Sequence, residues 1–134
     1  MGVIMRGRST GPTTAELVHE SGFVIKTTAP KDNGGDGSSF SPTDLCAVSL
    51  GACGTTIMAM FARDKGIPLA GVEFELRKEM AASPRRIARI EIAYRLKGTL
   101  SDKEFAMVVA AGKTCPVRVT FADRVEVVES YERA

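Results

Sequence analysis

The fold is decided by residues 41–68, which read SPTDLCAVSLGACGTTIMAMFARDKGIP. Ser41 can cap a helix, Pro42 suits the first helical position, and Asp44 can reach back to complete a capping box. No charge follows from residue 45 to residue 62, so one long helix is predicted. Its length is close to a membrane span, but its serines, threonines and glycines favour a central buried helix of a globular protein.

Alternation of apolar and polar residues on both sides of this helix predicts strands. Gly66 and Pro68 follow the helix and are expected to end it near Lys65. A second helix opens at the capping box formed by Ser101 and Glu104, and a last strand follows it. The expected strands are residues 16–18, 23–27, 72–77, 90–96 and 125–128. This order predicts an α+β fold in which two helices pack on a largely antiparallel sheet.

The bulk composition narrows the class of protein. The chain has 134 residues, of which 44% are hydrophobic and 25% charged, which predicts one soluble domain covering residues 1–134 with no membrane partner. The formal net charge of +2 is too small for a polyanion-binding surface, so no nucleic acid partner is expected. Residues 1–8 lack the apolar run of a secretory signal, so we expect a cytoplasmic protein.

The long helix also predicts an oligomer. A helix that is apolar on all sides needs cover on more than one face, and one small sheet covers a single face. A second subunit would supply the missing cover, so a homodimer is expected.

The three cysteines, Cys46, Cys53 and Cys115, are the main candidates for chemistry. In a cytosolic chain they do not form a structural disulfide framework, and their spacing fits no zinc site. Cys53 lies among small residues that let a substrate approach, although most free cysteines are small buried hydrophobes. Cys115 precedes Pro116 and can cap a short helical turn whose N–H groups support a thiolate; a buried loop cysteine is the alternative. Cys46 shares a helix face with Cys53 and is assigned a packing role.

Five other side chains are candidate partners of these thiols. Asp44 is expected to cap the long helix, and we predict a second role for it in orienting an arginine or a peroxide. His19, the only histidine, lies in a polar segment and is expected at the surface. A cysteine without a histidine base is most simply activated by a nearby cation, and the candidates are Arg6, Arg8 and Arg118.

Read in order, five segments resemble those of one known family. They are residues 40–45 (FSPTDL), 49–54 (SLGACG), 65–69 (KGIPL), 86–96 (RIARIEIAYRL) and 114–117 (TCPV). The pattern resembles the OsmC/Ohr family, the osmotically inducible and organic hydroperoxide resistance proteins. It runs from about residue 32 to the C-terminus, and its most specific parts are the helix opening, the small-residue helix cysteine and the second cysteine followed by Pro-Val.

The resemblance implies an OsmC-like fold: an intertwined homodimer in which largely antiparallel sheets wrap long central helices, with active sites at the subunit interface. It also implies a cysteine-based thiol peroxidase in oxidative stress defence. Cys53 would attack the O–O bond of an organic hydroperoxide, release an alcohol and become a sulfenic acid, and Cys115 would then form a disulfide with it. A lipoylated protein or a small dithiol would reduce that disulfide, and no bound cofactor is implied.

One position departs from the family pattern. Members with established hydroperoxide reductase activity carry a glutamate directly after the helix-opening proline, paired with an N-terminal arginine that polarises the peroxide. This chain has Thr43 there, and its carboxylate is Asp44, one residue on. The change bears on efficiency and substrate more than on the redox chemistry.

Two other classes of function compete with a peroxidase. The main alternative is a non-catalytic OsmC-like dimer that binds a hydrophobic ligand or senses redox state through its cysteines. A zinc-dependent hydrolase built from the three cysteines and His19 has no supporting spacing.

Overall fold

The computed structural model describes residues 2–134 and contains two compact units, one ending at Cys46 and the other comprising Ala47–Ala134. The single domain predicted from length stays a prediction. The secondary structure is mixed, with six strands and three α-helices among the described residues, and this confirms the predicted α+β class.

The first unit contains a three-stranded antiparallel sheet, the first sheet, in the order β1-β2-β3. Its strands are β1 (Met5–Ser9), β2 (Thr14–His19) and β3 (Val24–Thr28). The second and third of these were predicted, and Gly22 turns the chain between them with a φ of 93°. The first was not named as a strand because the sequence MRGRS has no apolar alternation. A short 3₁₀ turn, Lys31–Asn33, lies in the predicted loop.

The long helix α1 (Pro42–Lys65) has the predicted ends. Asp44 N–H donates to Ser41 Oγ at 3.1 Å, and Ser41 N–H donates to Asp44 Oδ2 at 2.9 Å, so the capping box is formed. Gly66 follows the last turn with a φ of 67°, a left-handed conformation that glycine adopts without strain.

One stripe of α1 is buried, rather than its whole circumference. The buried residues recur every three or four positions, as expected for one helical face: Ala47, Leu50, Gly51, Gly54, Met58 and Ala62. On the opposite side Ala52, Thr56 and Met60 are exposed. The helix is long and apolar enough to cross a membrane by length and composition, a test that the core helices of soluble proteins also pass.

The second unit contains a mixed sheet, the second sheet, in the order β4-β5-β6. Its strands are β4 (Leu69–Ala81), β5 (Arg86–Gly98) and β6 (Glu126–Arg133). The first two form the predicted antiparallel hairpin, whereas β6 runs parallel to β5. The predicted last strand, residues 125–128, is therefore too short at its C-terminal end, because β6 continues for five residues past Val128, from Glu129 to Arg133.

The two faces of the second sheet differ in chemistry. The inner face carries the buried β5 residues Ile90, Ile92, Tyr94 and Leu96, which form the core with α1. The outer face is exposed and carries several ion pairs, such as that of Arg95 with Glu132 at 3.0 Å. Buried and exposed residues alternate along β5, which confirms the prediction that one face of the hairpin is exposed to solvent.

Two short helices complete the second unit. Helix α2 (Asp102–Gly112) begins at the predicted capping box of Ser101 and Glu104. Helix α3 (Pro116–Phe121) is the short turn predicted after Cys115, which is its N-cap residue. The structure therefore has three helices in the described chain, where the fold prediction counted two.

Glycines bring α1 close to the second sheet. A Cβ atom on Gly51 would overlap the ring of Phe74, and a Cβ on Gly54 would overlap the phenol of Tyr94. The helix backbone therefore rests directly on two aromatic rings of the inner face. Cys53 lies between these glycines in sequence, so this contact fixes its height above the sheet.

Candidate active site

Two of the three thiols meet in the second unit. Cys53 lies in the middle of α1 and Cys115 is the N-cap residue of α3. Cys53 packs against the buried core that contains Cys115, and the two thiols are near enough for Cys53 to raise the pKa of Cys115. Cys53 is partly exposed, whereas Cys115 is only 1% exposed. Two thiols this close can alternate between a dithiol and a disulfide.

The environment of Cys115 acts on its thiol in opposite directions. Burial is the largest influence and raises the pKa of the Cys115 thiol, because a thiolate is poorly solvated there. The main-chain N–H of Arg118 donates to Cys115 Sγ at 3.3 Å and pulls the pKa the other way. The proximity of Cys53 adds to the upward shift. In the reduced protein Cys115 is therefore a shielded, protonated thiol beside the more accessible Cys53.

Two stacked tyrosines lie beside the thiol pair. The rings of Tyr94 and Tyr131 are 4.9 Å apart and 12° from parallel, and Tyr94 Oη donates to Leu50 O at 3.4 Å. Burial raises the pKa of Tyr94 well above its usual range, with smaller contributions from Cys115 and Cys53. Burial also raises the pKa of Tyr131 to about 12. Both phenols are therefore neutral at physiological pH, and the two tyrosines are uncharged neighbours of the thiols.

An ion pair between an arginine and a glutamate lies next to these tyrosines. Arg118 pairs with Glu129, and Tyr131 Oη donates to the other carboxylate oxygen of Glu129. Glu129 is on the inner face of β6 with its side chain only 10% exposed, and the Arg118 side chain is 34% exposed. The guanidinium charge reaches both phenols, since it lowers the pKa values of Tyr94 and Tyr131 against the effect of burial.

Of the three candidate arginines, Arg118 is the one that the structure brings to the unit holding both thiols. Arg6 lies on the exposed strand β1, and Arg8 pairs with Glu16 at 3.2 Å on the first sheet. Asp44 belongs to the first unit, where it caps α1, and its catalytic role stays a prediction.

The remaining sequence candidates lie at the surface. Cys46 is exposed in the single chain, and the packing role assigned to it stays a prediction. His19 is exposed as predicted, and its Nδ1 lies 2.8 Å from Ser21 Oγ in the turn between β2 and β3. Among residues 2–134, the acidic, histidine and cysteine side chains form no cluster of three or more that could hold a metal ion.

The sequence prediction missed three side chains of this site: Tyr94, Tyr131 and Glu129. A signal for Tyr94 was present, because it alternates with Ile92 and Leu96 on a strand that was predicted. The signal for the other two lay beyond the predicted end of the last strand. Extending the alternation from Val127 would have placed Glu129 and Tyr131 on the same face.

A surface depression of about 540 Å³ includes Glu129 among its lining residues but contains neither cysteine. It is on the outer face of the second sheet and is lined largely by charged residues, among them Glu73, Arg77 and Arg95, with neither thiol in its lining. Several of these charges form ion pairs with one another or with neighbours, as on any solvated sheet face. The thiol pair is therefore the better candidate for a functional site.

Comparisons with known proteins agree with this architecture. Residues 35–130 match the family model described as OsmC-like protein. A solved structure from Psychrobacter arcticus 273-4, named for osmotic stress induction and a detoxification response, is 35% identical, with 100% of this chain and 98% of that chain covered and a TM-score of 0.86. Comparison with the curated proteins gave no match.

Two more distant structures are similar in fold. An organic hydroperoxide resistance protein OsmC from Legionella pneumophila is 22% identical, with 98% of this chain and 97% of that chain covered and a TM-score of 0.73. An organic hydroperoxide resistance protein from Elizabethkingia anophelis is 14% identical, with 100% and 99% covered and a TM-score of 0.77. At these identities the likeness concerns the fold alone.

Proposed function

The chain belongs to the OsmC-like protein family, and from this premise we propose that it is a cysteine-based thiol peroxidase that reduces organic hydroperoxides to alcohols. The observation that carries the proposal is the packing of Cys53 against the buried core that contains Cys115, which brings together two cysteines that are far apart in sequence. The substrate class follows the names of the Legionella pneumophila and Elizabethkingia anophelis relatives.

The proposed reaction has two steps in the protein. The Cys53 thiolate attacks one oxygen of the hydroperoxide, the O–O bond breaks, and the alkoxide takes up a proton and leaves as the alcohol. Cys53 is then a sulfenic acid. The Cys115 sulfur attacks the Cys53 sulfur, the S–O bond breaks, and the hydroxide leaves with the thiol proton as water. The product is a Cys53–Cys115 disulfide.

Exposure supports this assignment of roles. The attacking thiol must meet a substrate from solvent, and Cys53 is the partly exposed member of the pair. Cys115, at 1% exposure, is shielded from solvent but lies next to Cys53. A buried thiol in contact with the oxidised sulfur suits the second step.

The reductant and the location are part of the proposal. An external dithiol, either a lipoylated protein or a small molecule, would reduce the disulfide and return both thiols, so the protein needs no bound cofactor. A cytoplasmic location fits the proposed chemistry, because that compartment keeps thiols reduced.

Single cysteine variants test the roles. With one equivalent of cumene hydroperoxide, Cys53→Ser is expected to leave the peroxide unconsumed. Cys115→Ser is expected to consume one equivalent and stop at a Cys53 sulfenic acid, which dimedone labelling and mass spectrometry detect. Cys46→Ser, the exposed third thiol, is the matched control and should retain turnover. Equal loss of the first oxidation in the Cys53 and Cys115 variants would contradict these roles.

Asp44 is proposed to orient an arginine or the peroxide in addition to capping α1. Asp44→Ala should lower the free energy of unfolding by about 1 kcal/mol through loss of the cap and should also slow Cys53 oxidation. Glu104→Ala removes the equivalent carboxylate from the capping box of α2 and is the matched control. Chemical denaturation and stopped-flow oxidation measure the two effects. If both variants lose stability and neither loses oxidation rate, Asp44 is only a cap.

A homodimer is also proposed, and exposed apolar surface supports it. On the first sheet Met5, Val24 and Ile25 are exposed, and Met60 is exposed on α1. A second subunit that packed on these side chains would remove them from water. Size-exclusion chromatography with light scattering should give about twice the 14.3 kDa of one chain. A mass of one chain across micromolar concentrations would rule the dimer out.

A further inference from the structure

We propose that Glu129 is a positioning residue for disulfide formation: it anchors Arg118, whose main-chain N–H binds the Cys115 sulfur, to strand β6. The inference rests on the proposed function, because it assigns a residue to the second step of that reaction. Neither the family pattern nor the candidate residues taken from the sequence included Glu129.

The position of Glu129 is unusual for a carboxylate. It lies between Val127 and Tyr131 on the inner face of β6, with a side chain only 10% exposed. A charge in such a place is costly unless it is paired and hydrogen-bonded. Both of its oxygens have partners: Oε1 accepts from Arg118 Nη1, and Oε2 accepts from Tyr131 Oη. The carboxylate therefore has a fixed orientation.

Arg118 is held at two points. Its main-chain N–H donates to Cys115 Sγ at 3.3 Å, and its guanidinium pairs with Glu129. Helix α3, which contains Arg118, has only six residues, too few for its own hydrogen bonds to fix it. The ion pair thus ties the turn that holds the Cys115 sulfur to the second sheet.

The second chemical step depends on that geometry. The Cys115 sulfur has to approach the Cys53 sulfur opposite the S–O bond that breaks, and the thiol proton has to leave with the hydroxide. Burial disfavours the Cys115 thiolate, and the Arg118 N–H is a group that offsets this. A loosened turn would weaken the N–H bond and misalign the sulfur. The first step uses Cys53 and does not need the anchor.

The test measures the two steps, oxidation of Cys53 and formation of the disulfide, separately in the Glu129→Gln variant. After one equivalent of cumene hydroperoxide, peroxide loss measures the first step, and rapid alkylation with mass spectrometry measures the disulfide. Peroxide loss should stay within about twofold of wild type, whereas disulfide formation should slow about tenfold or more, the effect of losing one charge-assisted pair. The apparent pKa of the second step should rise. Glu129→Asp should restore part of its rate.

The matched control is Glu132→Gln. It makes the same substitution on the outer face of the same strand and breaks the ion pair with Arg95, which does not contact the thiols. This variant should keep the wild-type rate and pH profile of both steps. Arg118→Gln, which keeps the N–H but removes the anchored charge, should reproduce the slow second step and supplies the test if Glu129→Gln does not fold.

Diamide distinguishes failure of this inference from failure of the peroxidase proposal. Diamide joins the two thiols without a sulfenic acid, and Cys115 still has to reach the modified Cys53 sulfur. If the wild type does not react with peroxide, but Glu129→Gln forms the disulfide with diamide more slowly than the wild type does, the peroxidase proposal fails and the positioning role of Glu129 is supported. If the Glu129→Gln and Glu132→Gln variants form the disulfide equally fast with both oxidants, Glu129 has no positioning role in disulfide formation.

Discussion

The approach of α1 to the inner face of the second sheet sets the geometry around Cys53. Helix and sheet can touch this closely only because Gly51 and Gly54 leave room for the rings of Phe74 and Tyr94. A larger residue at either glycine would lift the helix or displace a ring from a packed core, at a cost of roughly 1–3 kcal/mol. The same contact sets how close Cys53 lies to the core that contains Cys115, and the proposed redox chemistry depends on that spacing.

The second constraint is electrostatic. The inner face of the second sheet is apolar apart from Glu129 and two tyrosines, so a thiolate there is poorly solvated, and burial raises the pKa of the Cys115 thiol. The site contains a compensating set of polar groups: the N–H of Arg118 on the sulfur, its guanidinium on Glu129, and Tyr131 on the same carboxylate. These groups link α3 to β6, so the local charge balance and the position of Cys115 depend on the same contacts.

Much of the fold could be predicted because local signals were explicit. The two capping boxes fixed the starts of α1 and α2, and strict alternation fixed the β4–β5 hairpin. Strand β1 could not be predicted in this way, because its residues show no periodicity. The C-terminal half of β6 was missed because a charged residue, Glu129, interrupts its apolar face, and only the pairing with Arg118 and Tyr131 explains that residue.

The site was only partly predictable for a related reason. The family pattern marked Cys53 and Cys115 as a pair, but their proximity depends on how α1, α3 and the second sheet pack together, which no local spacing encodes. The partners of Cys115 are likewise non-local. The sequence offered three arginines as equivalent candidates, and tertiary packing distinguishes Arg118, because its own N–H contacts the sulfur.

The most direct test of the central claim is a thiol count on the unmodified protein. Fully reduced chain is mixed with one equivalent of cumene hydroperoxide and quenched with an alkylating reagent, and any disulfide is mapped by peptide mass spectrometry. We predict rapid loss of two of the three thiols and a single link between Cys53 and Cys115, with Cys46 still alkylated. Three intact thiols under excess peroxide, or a link that includes Cys46, would contradict it.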